Sequence, residues 1–434
     1  MESLLSTGRL GEAYLPRMVD AELDELLADL SAVAIEGPRG VGKTATGLQR
    51  ARTVFRLDDP AQAAIMAADP TRIVRAEPPV LIDEWQIVPQ SWDLVRRAVD
   101  AGAAAGTFIL TGSAAPANPP THTGAGRIVT VRMRPMSLVE RGDGSPSVSL
   151  ASLLRGTREA VTGETEVRLE DYTRAIVQSG FPALRQVGAR ALRAQLDGYL
   201  ARIVDRDLAA VGYETRNPVA LSRWLAAYGA ATSTTASYET LRKAGSAGHA
   251  EMPARATTQR YVDALTAAWM IEPVPAWAPS TSHLGRLGLA PKHQLADPAL
   301  AARAVGVGVE ALLEGLPTGI PAGREATFLG RLFEALVIQS LRVYAQAAEA
   351  QVAHLRTQNG DHEVDAVVMR DDGRVVAVEV KLGRTVDDED AKHLRWLGER
   401  LGDGLLDAVI VTSGPAAYRR PDGIAVIPAA LLGP

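Results

Sequence analysis

Gly37-Pro38-Arg39-Gly40-Val41-Gly42-Lys43-Thr44 sets glycines, a lysine and a hydroxyl in the spacing G-x-x-x-x-G-K-[ST]. Such a segment can cradle a polyphosphate. The glycines let backbone N–H groups converge on a β-phosphate, and a following helix turns its positive end toward the anion. Lys43 would reach the β- and γ-phosphates, Thr44 would ligate magnesium, and Ala45 continues the cradle. The chain holds five lysines (Lys43, Lys243, Lys292, Lys381 and Lys392) among 46 Lys+Arg. Most positions that want any cation therefore carry arginine. A surviving lysine points to a need for a compact, rotatable ammonium.

Downstream, Val80-Leu81-Ile82 runs into Asp83-Glu84. An apolar strand ending in two carboxylates supplies the rest of such a site. Asp83 would hold magnesium through water, and Glu84 would polarise the attacking water. The next apolar run, Phe108-Ile109-Leu110, ends in Thr111-Gly112-Ser113. Thr111 or Ser113 could offer a hydroxyl to the water or the γ-phosphate; a plain strand-end turn is the competing reading. Arg127 is a candidate arginine finger acting from a neighbouring copy of the chain.

A second set lies near the C-terminus. Glu334 falls on a helix, Asp365 in Glu363-Val364-Asp365-Ala366-Val367-Val368, and Glu379-Val380-Lys381 at the end of the following strand. A carboxylate followed by E-x-K is how the PD-(D/E)xK nuclease fold builds its metal site. On that reading Glu334, Asp365 and Glu379 hold magnesium, and Lys381 is catalytic, positioning water beside a phosphate. Register decides whether the set assembles. A two-residue Asp372-Gly373 turn would turn Asp365 away from Glu379. A three-residue loop with Gly373 left-handed would pair Arg370 with Arg374 and bring the two carboxylates together.

The elements that must position these residues alternate strand and helix. Residues 19–30 have helical apolar spacing, and strands are expected at 31–36, 54–57, 80–82, 108–110 and 127–133, with helices from Lys43 and over 92–101. The fold class is α/β, with a parallel sheet covered on both faces. Residues 114–125 read as a loop. Helices are expected over 171–207 and 217–270, broken at 180–182 and 244–250, and short β-like pieces over 273–292. From about Arg324 come a helix to 348, a strand near 352–355, a hairpin at 363–380, a helix at 387–401 and a strand at 408–412. The helix pair around 236–268, with Thr257, Thr258, Gln259 and Arg260 opening the second helix, resembles a winged helix, which reads DNA or serves as a packing module.

GPRGVGKT, RLDDP, LIDEWQ, FILTGS and GRIVTVRMRPMSLVE, with Gly180-Phe181-Pro182, Asp205-Arg206-Asp207-Leu208 and Lys292-His293-Gln294-Leu295-Ala296-Asp297, resemble a bacterial and archaeal group of AAA+-superfamily ATPases. In that group a C-terminal domain of unassigned function follows the ATPase. The resemblance implies ATP binding and hydrolysis, a helical and winged-helix middle, and a nuclease-like end. The group's usual Gly-Gly-Phe-Pro reads Ser179-Gly180-Phe181-Pro182 here. The expected layout is an ATPase domain at 1–140, a helical lid at 141–215, a winged-helix-like region at 216–290 and a nuclease-like domain at 291–434.

Composition sets the bounds. Net charge is −5, so the whole chain carries no basic footprint for nucleic acid. Cysteine is absent, which removes disulfide and thiolate chemistry. With no apolar run of membrane length and no leader-like N-terminus, a soluble cytoplasmic protein is expected. Its expected cofactors are ATP and Mg2+, and its expected partners are DNA or another protein, with self-assembly implied if Arg127 acts between copies.

Overall fold

A computed structural model of the chain describes residues 14–113, 124–248, 252–278, 289–314, 323–357 and 360–434. Most of the loop expected at 114–125 and the end of the break at 244–250 lie outside them. Two compact units emerge, each assembled from three stretches of chain. The first takes Met1–Arg134, Ile203–Arg216 and Val262–Met270, and the second takes Pro135–Arg202, Asn217–Tyr261 and Ile271–Pro434.

In the first unit, five strands form one parallel sheet: β1 (Ala32–Glu36), β2 (Thr53–Arg56), β3 (Val80–Asp83), β4 (Phe108–Gly112) and β5 (Val129–Arg132), in the order β2-β3-β4-β1-β5. The inner strands are apolar on both faces, as burial under helices on both sides requires. Ala32, Ala34, Val80, Ile82, Phe108 and Leu110 pack with Trp85, Trp92 and Val95. Helices α1 (Val19–Asp29), α2 (Lys43–Leu48) and α3 (Gln90–Asp100) accompany the sheet. Because every strand runs the same way, the ends of β1, β3 and β4 emerge on one edge, where parallel α/β sheets build their sites.

The second unit holds an eight-stranded mixed sheet. Its labelled strands are β6 (Gln351–Arg356), β7 (Glu363–Met369), β8 (Val375–Lys381), β9 (Leu405–Thr412) and β10 (Ala425–Pro428). Across the sheet the order is Gly163–Glu164, Ala416–Arg419, β10, β9, β8, β7, β6, Ala276–Trp277. Helix α4 (Gly323–Ala347) precedes β6, and α5 (Lys392–Leu401) lies between β8 and β9 in the chain. Val367, Val375, Ala377, Leu394, Leu397, Leu405 and Ile410 share a buried cluster. Helix α5 starts later than the expected Asp387, because the Asp387 carboxylate accepts from the Glu389 and Asp390 N–H groups and holds a turn there.

The β7–β8 hairpin takes the longer loop. Ala366 pairs with Val378 and Met369 with Val375. The Arg370 N–H donates to the Arg374 carbonyl at 3.0 Å, and Gly373 sits at φ 81°. Continued outward, this register sets Asp365 opposite Glu379. The middle region forms helices Pro218–Ala230, Tyr238–Ala244 and Arg255–Ala267. Of the β-like pieces at 273–292, strand Ala276–Trp277 and a bridge between Val274 and Lys292 are present, while 279–288 fall outside the described residues.

Candidate functional site

The cradle leaves β1 at Glu36 and is pinned against the end of β5. The Met133 N–H donates to the Glu36 carbonyl at 2.8 Å. A Cβ on Gly37 would stand 2.1 Å from the Met133 carbonyl oxygen, so only glycine fits that first position. Pro38 and Val41 are buried, Arg39 and Gly40 are exposed, and Gly40 and Gly42 are left-handed. Arg17, 6% exposed, donates to the Val41 carbonyl and to the Arg134 carbonyl, each at 2.7 Å, tying the loop to the strand end. The helix after the cradle is short, six residues, because Gly47 and the turn at Gln49 end it.

Lys43 is 5% exposed, and its Nζ donates to the Gly37 and Pro38 carbonyls at 2.9 and 3.0 Å. Burial lowers its pKa to about 8, against the opposing pull of the Glu84 carboxylate. The Thr44 hydroxyl donates to Asp83 Oδ1 at 2.7 Å, and Thr111 donates to the same oxygen. Burial raises the Asp83 pKa, with those two hydrogen bonds working the other way. A hydroxyl beside a carboxylate at the mouth of a phosphate cradle is a donor set that suits magnesium, a hard cation that keeps several waters.

Glu84 follows in a left-handed conformation, φ 56° and ψ 48°, costly for a residue with a Cβ. That bend carries it out of the strand direction. Its Oε2 accepts from Ser113 Oγ at 2.7 Å and from Gln86 Nε2. The Thr111 and Ser113 hydroxyls thus each donate to one carboxylate, Thr111 to Asp83 and Ser113 to Glu84. Arg127 is exposed and pairs with Asp100 at 2.8 Å, so it does not join the cradle residues within this chain.

Ser113 and Gln86 as a pair, and Arg17, were not visible from spacing alone. Neither was Arg132, whose guanidinium carbon lies 3.8 Å from the centre of the Trp269 ring in the same unit. Trp269 comes from a stretch far along the chain, and no local pattern announces such a pairing.

In the second unit, Glu334, Asp365, Glu379 and Lys381 do converge, but around a residue that the sequence reading left out of the set. Lys292 Nζ lies 2.9 Å from Glu334, 2.8 Å from Asp365 and 3.0 Å from Glu363. Its side chain is 1% exposed. Asp365 also accepts the Val380 N–H at 2.9 Å. Glu379 Oε1 accepts from Lys381 at 2.9 Å, and its other oxygen is buried without a hydrogen bond. Burial and the neighbouring Asp365 carboxylate push both Glu334 and Glu379 up to about 8. Burial pushes Asp365 up, but the Lys292 charge and hydrogen bond, the Val380 N–H and the Lys381 charge together hold it below its usual range. Among the described residues no three Asp, Glu or His side chains are arranged to hold a metal ion. The residues expected to hold magnesium, Glu334, Asp365 and Glu379, thus meet with an ammonium among them. Its signal, Lys292 as one of five lysines, was in view without its partners.

The parallel sheet, the cradle and the acidic strand have the layout of a P-loop nucleotide-binding domain. Residues 30–141 match the AAA domain family. Residues 169–311 and 329–432 match two domains of unknown function, DUF8612 and DUF4143. An uncharacterized protein of Mycobacterium tuberculosis is 26% identical over 419 residues, 94% of this chain and 82% of that protein. One of Mycobacterium bovis matches with the same figures. The Walker-type ATPase PABY2304 of Pyrococcus abyssi, a solved structure, is 15% identical with a TM-score of 0.39, over 67% of this chain and 96% of that one. No helix among the described residues is long and apolar enough to cross a membrane.

Proposed function

We propose that the chain is a magnesium-dependent ATP hydrolase whose nucleotide state controls its C-terminal part. The observation that carries this is the meeting of Lys43, Thr44, Asp83 and Glu84 on one sheet edge. Lys43 neutralises the β- and γ-phosphates, and the backbone N–H groups of residues 39–45 hold them. Thr44 and Asp83 would hold magnesium, which supplies charge stabilisation to the transferring phosphoryl group. Glu84, oriented by Ser113 and Gln86, polarises the attacking water. Replacing Glu84 by Gln keeps the shape and removes the base. Glu84→Gln is expected to bind ATP while turnover falls on the order of 10²–10⁴-fold. Turnover that survives this change would remove Glu84 from the mechanism.

For the far end, the first reading is a nuclease-like domain acting on DNA, with Lys381, Asp365 and Glu379 as its chemistry and Arg127 serving a neighbouring copy. A second reading is an ATP-driven switch whose nuclease-like domain is a scaffold for a protein partner. The Lys292 ammonium among the carboxylates supports the second. Magnesium-dependent cleavage of DNA by the wild type, lost on Asp365→Ala, would decide for the first.

A further inference from the structure

We propose that Lys292 is the resident cation of the second unit's carboxylate cluster, and that this cluster takes no divalent metal. The proposal stands apart from the ATPase reading and deepens the scaffold reading of the far end.

A nuclease of this layout would gather its carboxylates around a doubly charged ion. Here Glu334, Asp365 and Glu363 gather around a single ammonium at 2.8 to 3.0 Å. The fourth carboxylate, Glu379, is engaged by Lys381. The two groups meet where the Val380 N–H, between Glu379 and Lys381, donates to Asp365 at 2.9 Å, and Glu363 also pairs with Arg356 at 3.1 Å. A divalent ion placed among these carboxylates would stand a few ångströms from the buried Lys292 charge, and like charges at that range repel.

Lys292 also has nowhere to go. Its side chain is 1% exposed, so retreat would need a new path to water. Its backbone is fixed on both sides. The Lys292 N–H donates to Val274 at 3.0 Å, and the Val274 N–H donates back at 2.9 Å. The next residue, His293, donates its N–H to Thr234 at 2.8 Å. Removing a buried charge's partner is costly, so each carboxylate holds Lys292 as firmly as Lys292 holds them. In a chain that uses arginine almost everywhere, a compact ammonium fits a space among three carboxylates that a planar guanidinium would not.

The test is Mn2+ titration of the full-length chain without nucleotide, followed by the EPR signal of free Mn2+. An Asp83→Ala background removes the contribution of the ATP site. With Lys292 present, no stoichiometric Mn2+ uptake is expected. Lys292→Ala is expected to gain one Mn2+ per chain, and adding Asp365→Asn should remove it again. The proposal is overturned if the Lys292 protein binds one Mn2+ that Asp365→Asn abolishes. It is also overturned if folded Lys292→Ala binds none. Should Lys292→Ala fail to fold, the neutralised variant Lys292→Met with Glu334→Gln and Asp365→Asn reports on the other half. Its recovery of fold supports a charge-balancing lysine. Its failure, with the matched carboxylates gone, counts against one.

Discussion

Burial leaves the Lys43 ammonium with a pKa of about 8, closer to neutrality than a free lysine. A bound polyphosphate favours the charged form, so affinity should be flat below pH 8 and fall above it as the free site loses its proton. ATP binding measured by calorimetry from pH 6.5 to 9.5 should show that break; an affinity unchanged to pH 9.5 would remove the Lys43 charge from binding. At the next carboxylate, Ser113→Ala removes one of the two groups that orient Glu84. Turnover is expected to drop about tenfold with ATP affinity unchanged; an equal loss in both would assign Ser113 to binding. In the second unit, Glu379 is pushed up to about 8, above its unfolded value. A raised carboxyl pKa means the folded state binds its proton more tightly, so this group's contribution to stability is lost as pH rises from about 4.5 to about 8. Glu379→Gln should therefore become more favourable relative to wild type over that window, read as a rising difference in Tm. At this scale the cradle was legible because Gly37 to Thr44 is one contiguous run of fixed spacing, and Asp83-Glu84 because an apolar strand ends there in two carboxylates. Lys292 was not, since its carboxylate partners Glu334 and Asp365 are 42 and 73 residues away.

The elements show where local chemistry stops deciding. Asp372-Gly373 favours a two-residue turn, yet the hairpin uses a loop with Gly373 left-handed. The sheet settles it: β8 is hydrogen-bonded to β7 on one side and β9 on the other, and its register with both is fixed by buried valines on each. Gly373→Ala meets no steric neighbour but must keep φ 81°, so it is expected to cost about 1 kcal/mol in denaturant unfolding. The strands β1, β3 and β4 were readable as apolar runs. The boundaries of α2 and α5 were not, because a glycine and an aspartate turn end or delay them. Gly37→Ala is a different element-scale test. Its Cβ would collide with the Met133 carbonyl, pushing the cradle off β5. A loss of about 1–3 kcal/mol is expected, with ATP binding lost even where the fold survives.

For the whole molecule, the two units are interleaved along the chain, which no linear reading of domains anticipates. A fragment ending at residue 140 lacks Ile203–Arg216 and Val262–Met270, both part of the first unit. Such a fragment should be poorly soluble and melt well below the full chain, even though it contains every cradle and acidic-strand residue. Full stability of that fragment would mean the later stretches are dispensable. The net charge of −5 bears on the first reading of the far end: DNA affinity, if present, should fall steeply with salt through local basic residues rather than the global field.

The interleaving also has a consequence in time. Chains emerge from the ribosome from the N-terminus onward. The cradle, the acidic strand and the last strand of the first sheet are all synthesised by Arg132, but the stretch that brings Trp269 to Arg132 is not. The nucleotide unit remains unfinished until Met270 is clear of the exit tunnel, by which point much of the second unit has also been made. A nascent chain thus finishes the unit that would bind nucleotide before β6 to β10, the far sheet which that nucleotide would control, have been made.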